Sequence, residues 1–110
     1  MEIRQREEDR ASIIEVSGEV DLYSSPRMRD ALLKLIKARA KAIIINLGGV
    51  SYMDSSGIAT LVEGLQRCRE YGGSFRLVGL KPDVMQVFRL ARLTDAFEIY
   101  GDEAEALRGH

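Results

Sequence analysis

The stretch Ala42-Ile43-Ile44-Ile45-Asn46-Leu47-Gly48-Gly49-Val50-Ser51-Tyr52-Met53-Asp54-Ser55-Ser56-Gly57 changes its periodicity halfway along, and that change decides the fold. Its first six residues form a short, nearly continuous apolar run, the pattern of a strand buried on both faces. Gly48-Gly49 is read as the end of that strand. Beyond it, Ile58, Leu61, Val62, Leu65 and Cys68 recur at helical spacing, with Asp54 or Ser55 as cap and Gly72-Gly73 closing the far end. A doubly buried strand feeding a helix is half of a parallel crossover unit, and the flanking sequence repeats the alternation.

Upstream, Ser25-Pro26 reads as an N-cap followed by proline at the first helical position. Met28, Ala31, Leu32, Leu35 and Ile36 then make an apolar stripe running to about Ala40. Before that helix, Ile3 to Arg6 and Ser12 to Gly18 read as two strands joined by a polar turn over 7–10, hence an antiparallel hairpin. Downstream, Ser74 to Gly79 reads as a strand, and Pro82 opens a helix with the stripe Val84, Val87, Phe88 and Ala91. Phe97 to Tyr100 reads as a last short strand, and Asp102 caps a helix over Glu103 to Leu107. The expected fold is α/β: a mixed sheet of four to five strands with an antiparallel N-terminal hairpin and about four helices, in one domain spanning residues 1–110.

Composition agrees with a self-standing core. Leu, Ile, Val and Phe supply 31 of the 110 residues, and surface scaling for 12.3 kDa gives about 6,100 Å² of folded surface. A net charge of −1 with interspersed signs offers no footprint for nucleic acid or anionic lipid. No apolar stretch is long enough to span a membrane and the charged start has no signal-peptide core, so cytoplasm is the expected location. One cysteine, Cys68, and one histidine, His110, cannot build a zinc site, and no metal or cofactor is expected. Cys68 falls on an apolar stripe and reads as a small core side chain. His110 is terminal, which leaves a Ser-His-Asp arrangement without a base, and no phosphate-loop glycine motif is present.

Taken alone, Asp54-Ser55-Ser56-Gly57 is a helix cap. With two further landmarks it becomes more. Gly18-Glu19-Val20-Asp21 ends the second strand, Met53-Asp54-Ser55-Ser56-Gly57 opens the second helix, and Leu90-Ala91-Arg92-Leu93-Thr94-Asp95-Ala96-Phe97-Glu98-Ile99 forms a turn before a short strand. In this order and spacing the chain resembles the bacterial anti-sigma factor antagonists that define the STAS domain. Departures are Val20 where leucine is usual, and Ile58-Ala59 in place of a frequent Leu-Gly.

The resemblance implies a non-enzymatic phosphorylation switch. Ser55 is the residue phosphorylated, by an anti-sigma factor that is itself a serine kinase, and a phosphoserine phosphatase reverses the change. Ser56 is its neighbour and not the target. The implied partner-binding residues are Asp21, Ser24, Asp54, Ser55, Ser56 and Gly57, with the Asp21 to Ser25 loop lying beside the Ser55 loop. The free chain is expected to be a monomer that binds neither nucleic acid nor membrane. A non-switching STAS scaffold or transporter accessory subunit, with Ser55 only a cap, is the alternative. A small serine-dependent or nucleotide-binding enzyme is the third reading.

Overall fold

The computed structural model describes residues 1–108, so His110 lies outside the described residues. The elements are β1 (Glu2–Glu8), β2 (Ala11–Val20), α1 (Ser25–Lys37), β3 (Ala42–Met53), α2 (Ser55–Glu70), β4 (Ser74–Val78), α3 (Pro82–Leu90), β5 (Glu98–Tyr100) and α4 (Glu103–Arg108). Their order is the one the periodicities predict. The five strands lie side by side in chain order, β1-β2-β3-β4-β5, with β1 and β2 antiparallel and every later pair parallel. The hairpin turn is only Asp9-Arg10, both at positive φ (49° and 68°), a twist that suits adjacent antiparallel strands.

The core lies between one sheet face and helices α1 to α3. Ile14, Val16, Ile43, Ile45, Leu47 and Leu77 meet Met28, Leu32, Leu61, Leu65, Val84 and Phe88, all buried. The opposite sheet face carries a smaller cluster, Ala11, Ile13, Ala42, Ile44 and Val78, covered by Ala106 of α4. Coverage on both sides is why Ala42 to Ile45 reads as an uninterrupted apolar run. Polar contacts seat α4: Asn46 Nδ2 donates to Glu103 Oε2 at 2.7 Å, Arg6 pairs with Glu103, and Arg76 Nη1 donates to the Ala106 carbonyl at 2.7 Å. Cys68 is fully buried, as its place on the stripe indicates.

Gly48-Gly49 does not end β3. The strand runs on to Met53 because β2 continues to Val20 and pairs with it throughout, Ser17 with Gly49, Gly18 with Val50 and Val20 with Met53, across two register shifts. Glycine is needed there for proximity: a Cβ on Gly49 would lie 2.7 Å from Ser17 Cβ. The extension carries the start of α2 level with the end of β2. Two helix ends also differ from expectation. Arg39 at φ 56° follows the end of α1 at Lys37, and Ala91 lies exposed just past α3.

Candidate functional site

The carboxyl ends of β2 and β3 lie together, and two strand-to-helix connections leave from them. Asp54 joins the two. Its backbone N–H donates to the Val20 carbonyl at 3.1 Å, which ties the start of α2 to the end of β2. Its carboxylate caps α2: Oδ1 accepts from the Ser56 N–H at 2.9 Å and the Ser56 hydroxyl at 2.5 Å. The Ser56 hydroxyl, then the N–H groups of Ser56, Gly57 and Leu22, hold Asp54 below the usual carboxylate range against some desolvation. Asp54, not Ser55, is therefore the cap.

Gly57 is buried where the connections cross. A Cβ there would stand 2.7 Å from Met53 Cγ and 2.8 Å from Val20 Cγ1. Ser55 occupies the first turn of α2, where backbone N–H groups have no helical partner and the dipole is positive. Its side chain is exposed and makes no hydrogen bond among the described residues. Ser56 is half-buried, its hydroxyl held by Asp54 and its carbonyl accepting from Thr60 Oγ1 at 3.0 Å. Two adjacent serines that look equivalent in sequence are thus unequal: one hydroxyl is free and one is engaged.

The other connection is a rigid turn. Asp21 Oδ1 accepts from the N–H groups of Tyr23 and Ser24, each at 2.9 Å. Ser24 Oγ accepts from the Asp21 N–H at 2.9 Å, and its own proton lies within reach of the Glu19 carbonyl (2.9 Å) or Asp21 Oδ1 (3.1 Å). Ser25 is not the N-cap of α1. The helix begins one residue earlier than the Ser-Pro signal suggests, because the Asp21 turn directs the chain into it and the Asp21 carbonyl accepts from the Ser25 N–H at 2.8 Å. Ser24 stands at the cap position without a side-chain cap bond, and Ser25 is buried. Asp21 spends one carboxylate oxygen on the turn; its connection is joined to the Ser55 connection through Val20, whose carbonyl accepts from the Asp54 N–H.

The structure gathers Asp21, Ser24, Asp54, Ser55, Ser56 and Gly57 at one end of the sheet, and adds residues the sequence does not single out. Leu22 is 68% exposed, Tyr23 89% and Tyr52 50%; among the described residues the only other exposed large apolar side chain is Leu90. The signal for Leu22-Tyr23 is visible in retrospect: two large apolar residues inside a turn held by Asp21 and Ser24, belonging to no helical or strand period. No group of three or more His, Cys, Asp or Glu is placed to hold a metal ion among the described residues. No helix there is long and apolar enough to cross a membrane.

A family model for the STAS domain matches residues 2–106. The chain belongs to the STAS domain family. Among curated STAS relatives, an anti-sigma-B factor antagonist of Listeria monocytogenes is 32% identical over 105 residues, covering 96% of this chain and 91% of its own. The solved structure of an anti-sigma factor antagonist from Mycobacterium paratuberculosis superposes with a TM-score of 0.91 at 24% identity, over 98% of this chain and 92% of that one. The Bacillus cell fate determinant SpoIIAA, solved in its phosphorylated form, gives a TM-score of 0.77 at 23% identity and 97% coverage of each chain.

Proposed function

We propose that this STAS domain is an anti-sigma factor antagonist that works in the cytoplasm without catalysis of its own. Unphosphorylated, it binds an anti-sigma factor with serine kinase activity and frees the sigma factor. Phosphorylation of Ser55 switches binding off, and a phosphoserine phosphatase restores it. The observation that carries this reading is the free, exposed hydroxyl of Ser55 beside the engaged hydroxyl of Ser56. The names of the Listeria relative and of the phosphorylated Bacillus neighbour support it.

The physics of the switch is local. A phosphate brings a charge of about −1.5 to −2, which the helix N-terminus tolerates, so the fold need not change. An interface closed around a neutral hydroxyl and the apolar surfaces of Leu22, Tyr23 and Tyr52 must instead desolvate that charge, next to the carboxylate of Asp54. Binding is lost while stability is kept.

The test is incubation with ATP and the anti-sigma kinases of the source genome, with mass mapping of the modified residue. Affinities of wild type, Ser55→Ala and Ser55→Asp are then measured with and without ATP, beside thermal melts. Modification on Ser55 alone is expected, with Ala binding but no longer released by ATP, and Asp binding more weakly. Equal affinities for all three with an ATP response surviving in Ser55→Ala return the chain to a non-switching scaffold, and modification mainly on Ser56 overturns the assignment.

A further inference from the structure

Three of the four exposed large apolar side chains of the described chain fall at the end of the sheet that carries Ser55: Leu22 and Tyr23 in the turn held by Asp21, just after Val20, whose carbonyl accepts from the Asp54 N–H, and Tyr52 near the end of β3. With about 150–250 Å² per aromatic side chain, the exposed parts of Leu22, Tyr23 and Tyr52 together amount to roughly 300–400 Å², comparable in area to an interaction patch. The backbone that presents Leu22 and Tyr23 is pinned: the Tyr23 and Ser24 N–H groups are tied to the Asp21 carboxylate and the Val20 carbonyl to the Asp54 N–H, so little order is lost there on binding.

Charge specifies what covers the patch. Glu19 and Asp21 flank Tyr23 and Asp54 lies across the Val20 hydrogen bond, none of the three in an ion pair with a described cation, while Arg27 on the same flank donates from Nη1 to the Met1 carbonyl at 3.0 Å. Met1, Glu19, Asp21, Tyr23, Ser24 and Arg27 line an open cleft on the flank of Tyr23.

We infer that Leu22 and Tyr23 are the affinity-determining residues of the partner interface, seated in an apolar depression of the anti-sigma factor that is edged by arginine or lysine. This rests on the reading of Ser55 as the switch and extends it by separating two roles. Leu22 and Tyr23 set how tightly the partner is held; Ser55 sets in which state. Neither apolar side chain carries the reacting hydroxyl, so their removal weakens docking by the same factor whatever stands at residue 55. The same docking brings Ser55 to the kinase, so it governs KM and leaves the chemical step alone.

The experiment uses the purified kinase that modifies the wild-type chain. Binding is measured calorimetrically for Tyr23→Ala, Leu22→Ser and the control Leu90→Ser, each in wild-type and Ser55→Asp backgrounds, with phosphorylation kinetics and sedimentation of the free chains. Tyr23→Ala is expected to raise Kd about 30-fold and Leu22→Ser about 10-fold, by equal factors in both backgrounds, with Leu90→Ser within about twofold. KM for phosphorylation rises in parallel while kcat stays within about twofold, and melting temperatures are unchanged because both side chains are exposed.

Tyr23→Ala binding like wild type overturns this inference and leaves the switch standing. A fall in kcat at constant KM also overturns it, since that is the mark of a residue aligning Ser55. A free wild-type dimer that Leu22→Ser dissociates assigns the patch to a second copy instead. A wild-type chain that no kinase binds or modifies removes both readings.

Discussion

Gly57→Ala tests how closely the two connections at the candidate site are pressed together. The added methyl would meet Met53 Cγ at 2.7 Å and Val20 Cγ1 at 2.8 Å, about 1 Å inside ordinary carbon contact. Met53 is flexible and can swing aside. Val20 cannot do so easily, because it is fully buried, β-branched and paired through its backbone with β3. Overpacking of this kind costs about 1–3 kcal/mol, and the gain of alanine over glycine in a helix, at most about 1 kcal/mol, is smaller in the first turn. The expected net loss is about 1 kcal/mol, a fall in Tm of about 4–5 °C.

A second substitution isolates the cause. Val20→Ala alone should cost about 2–3 kcal/mol through lost methyl burial and a cavity. In Gly57→Ala that space receives the new methyl, so the double variant should be about 1 kcal/mol more stable than the sum of the singles. Urea unfolding of the four proteins at neutral pH measures this directly. Additivity within about 0.3 kcal/mol, or a Gly57→Ala chain that melts above wild type, would refute the claim that Val20 and Gly57 compete for one volume.

Two further expectations concern the rest of the molecule. Arg29 Nε and Nη2 donate to Glu63 at 2.7 and 2.9 Å, with Arg67 adding a bond at 3.0 Å, and this pairing, Arg29 foremost, lowers the Glu63 carboxyl from 4.5 to about 2. A depressed folded-state value stabilises above the unfolded value, so this contribution should be present above about pH 4.5 and vanish as pH falls toward about 2. Melting curves of Arg29→Ala should show a shallower acid loss than wild type, and parallel curves would deny the pair a role. Burial raises the Cys68 thiol above its ordinary range. Thiol titration at pH 8 should therefore be at least about 100-fold slower than for a free cysteine and become fast in denaturant; rapid labelling of the native chain would mean that α2 opens readily.

The helices were legible wherever a helical stripe faced a single core, and prolines at 26 and 82 fixed two starts to within a residue. Legibility failed where a distant partner overrode a local signal. Gly48-Gly49 ends a strand by its own preferences, yet β2, some 30 residues away, has enough unpaired backbone to carry β3 through both glycines to Met53. Ser25-Pro26 failed for the opposite reason, since the deciding group, the Asp21 carboxylate, was local but belonged to turn chemistry and not to a cap. The site motif could be located in sequence without being resolved. Which serine hydroxyl is free depends on where the Asp54 carboxylate points, and no pattern of residue types encodes that. Leu22 and Tyr23 lie outside the reach of periodicity, which finds apolar residues that point inward, while these two point out.

The sheet in which each strand pairs with the next in sequence has a bearing on how the chain is made. A doubly wound sheet built outward from a central strand must wait for late segments before its middle is complete. Here every strand after the first emerges with its neighbour already synthesised, so the sheet can grow at one edge at the pace of the ribosome, about 5–20 residues per second. Ser55 and the connections around it are assembled from residues that precede β4, whereas α4 closes the far face of the sheet last. During synthesis, the surface offered to a partner can thus be shaped before the back of the protein is sealed.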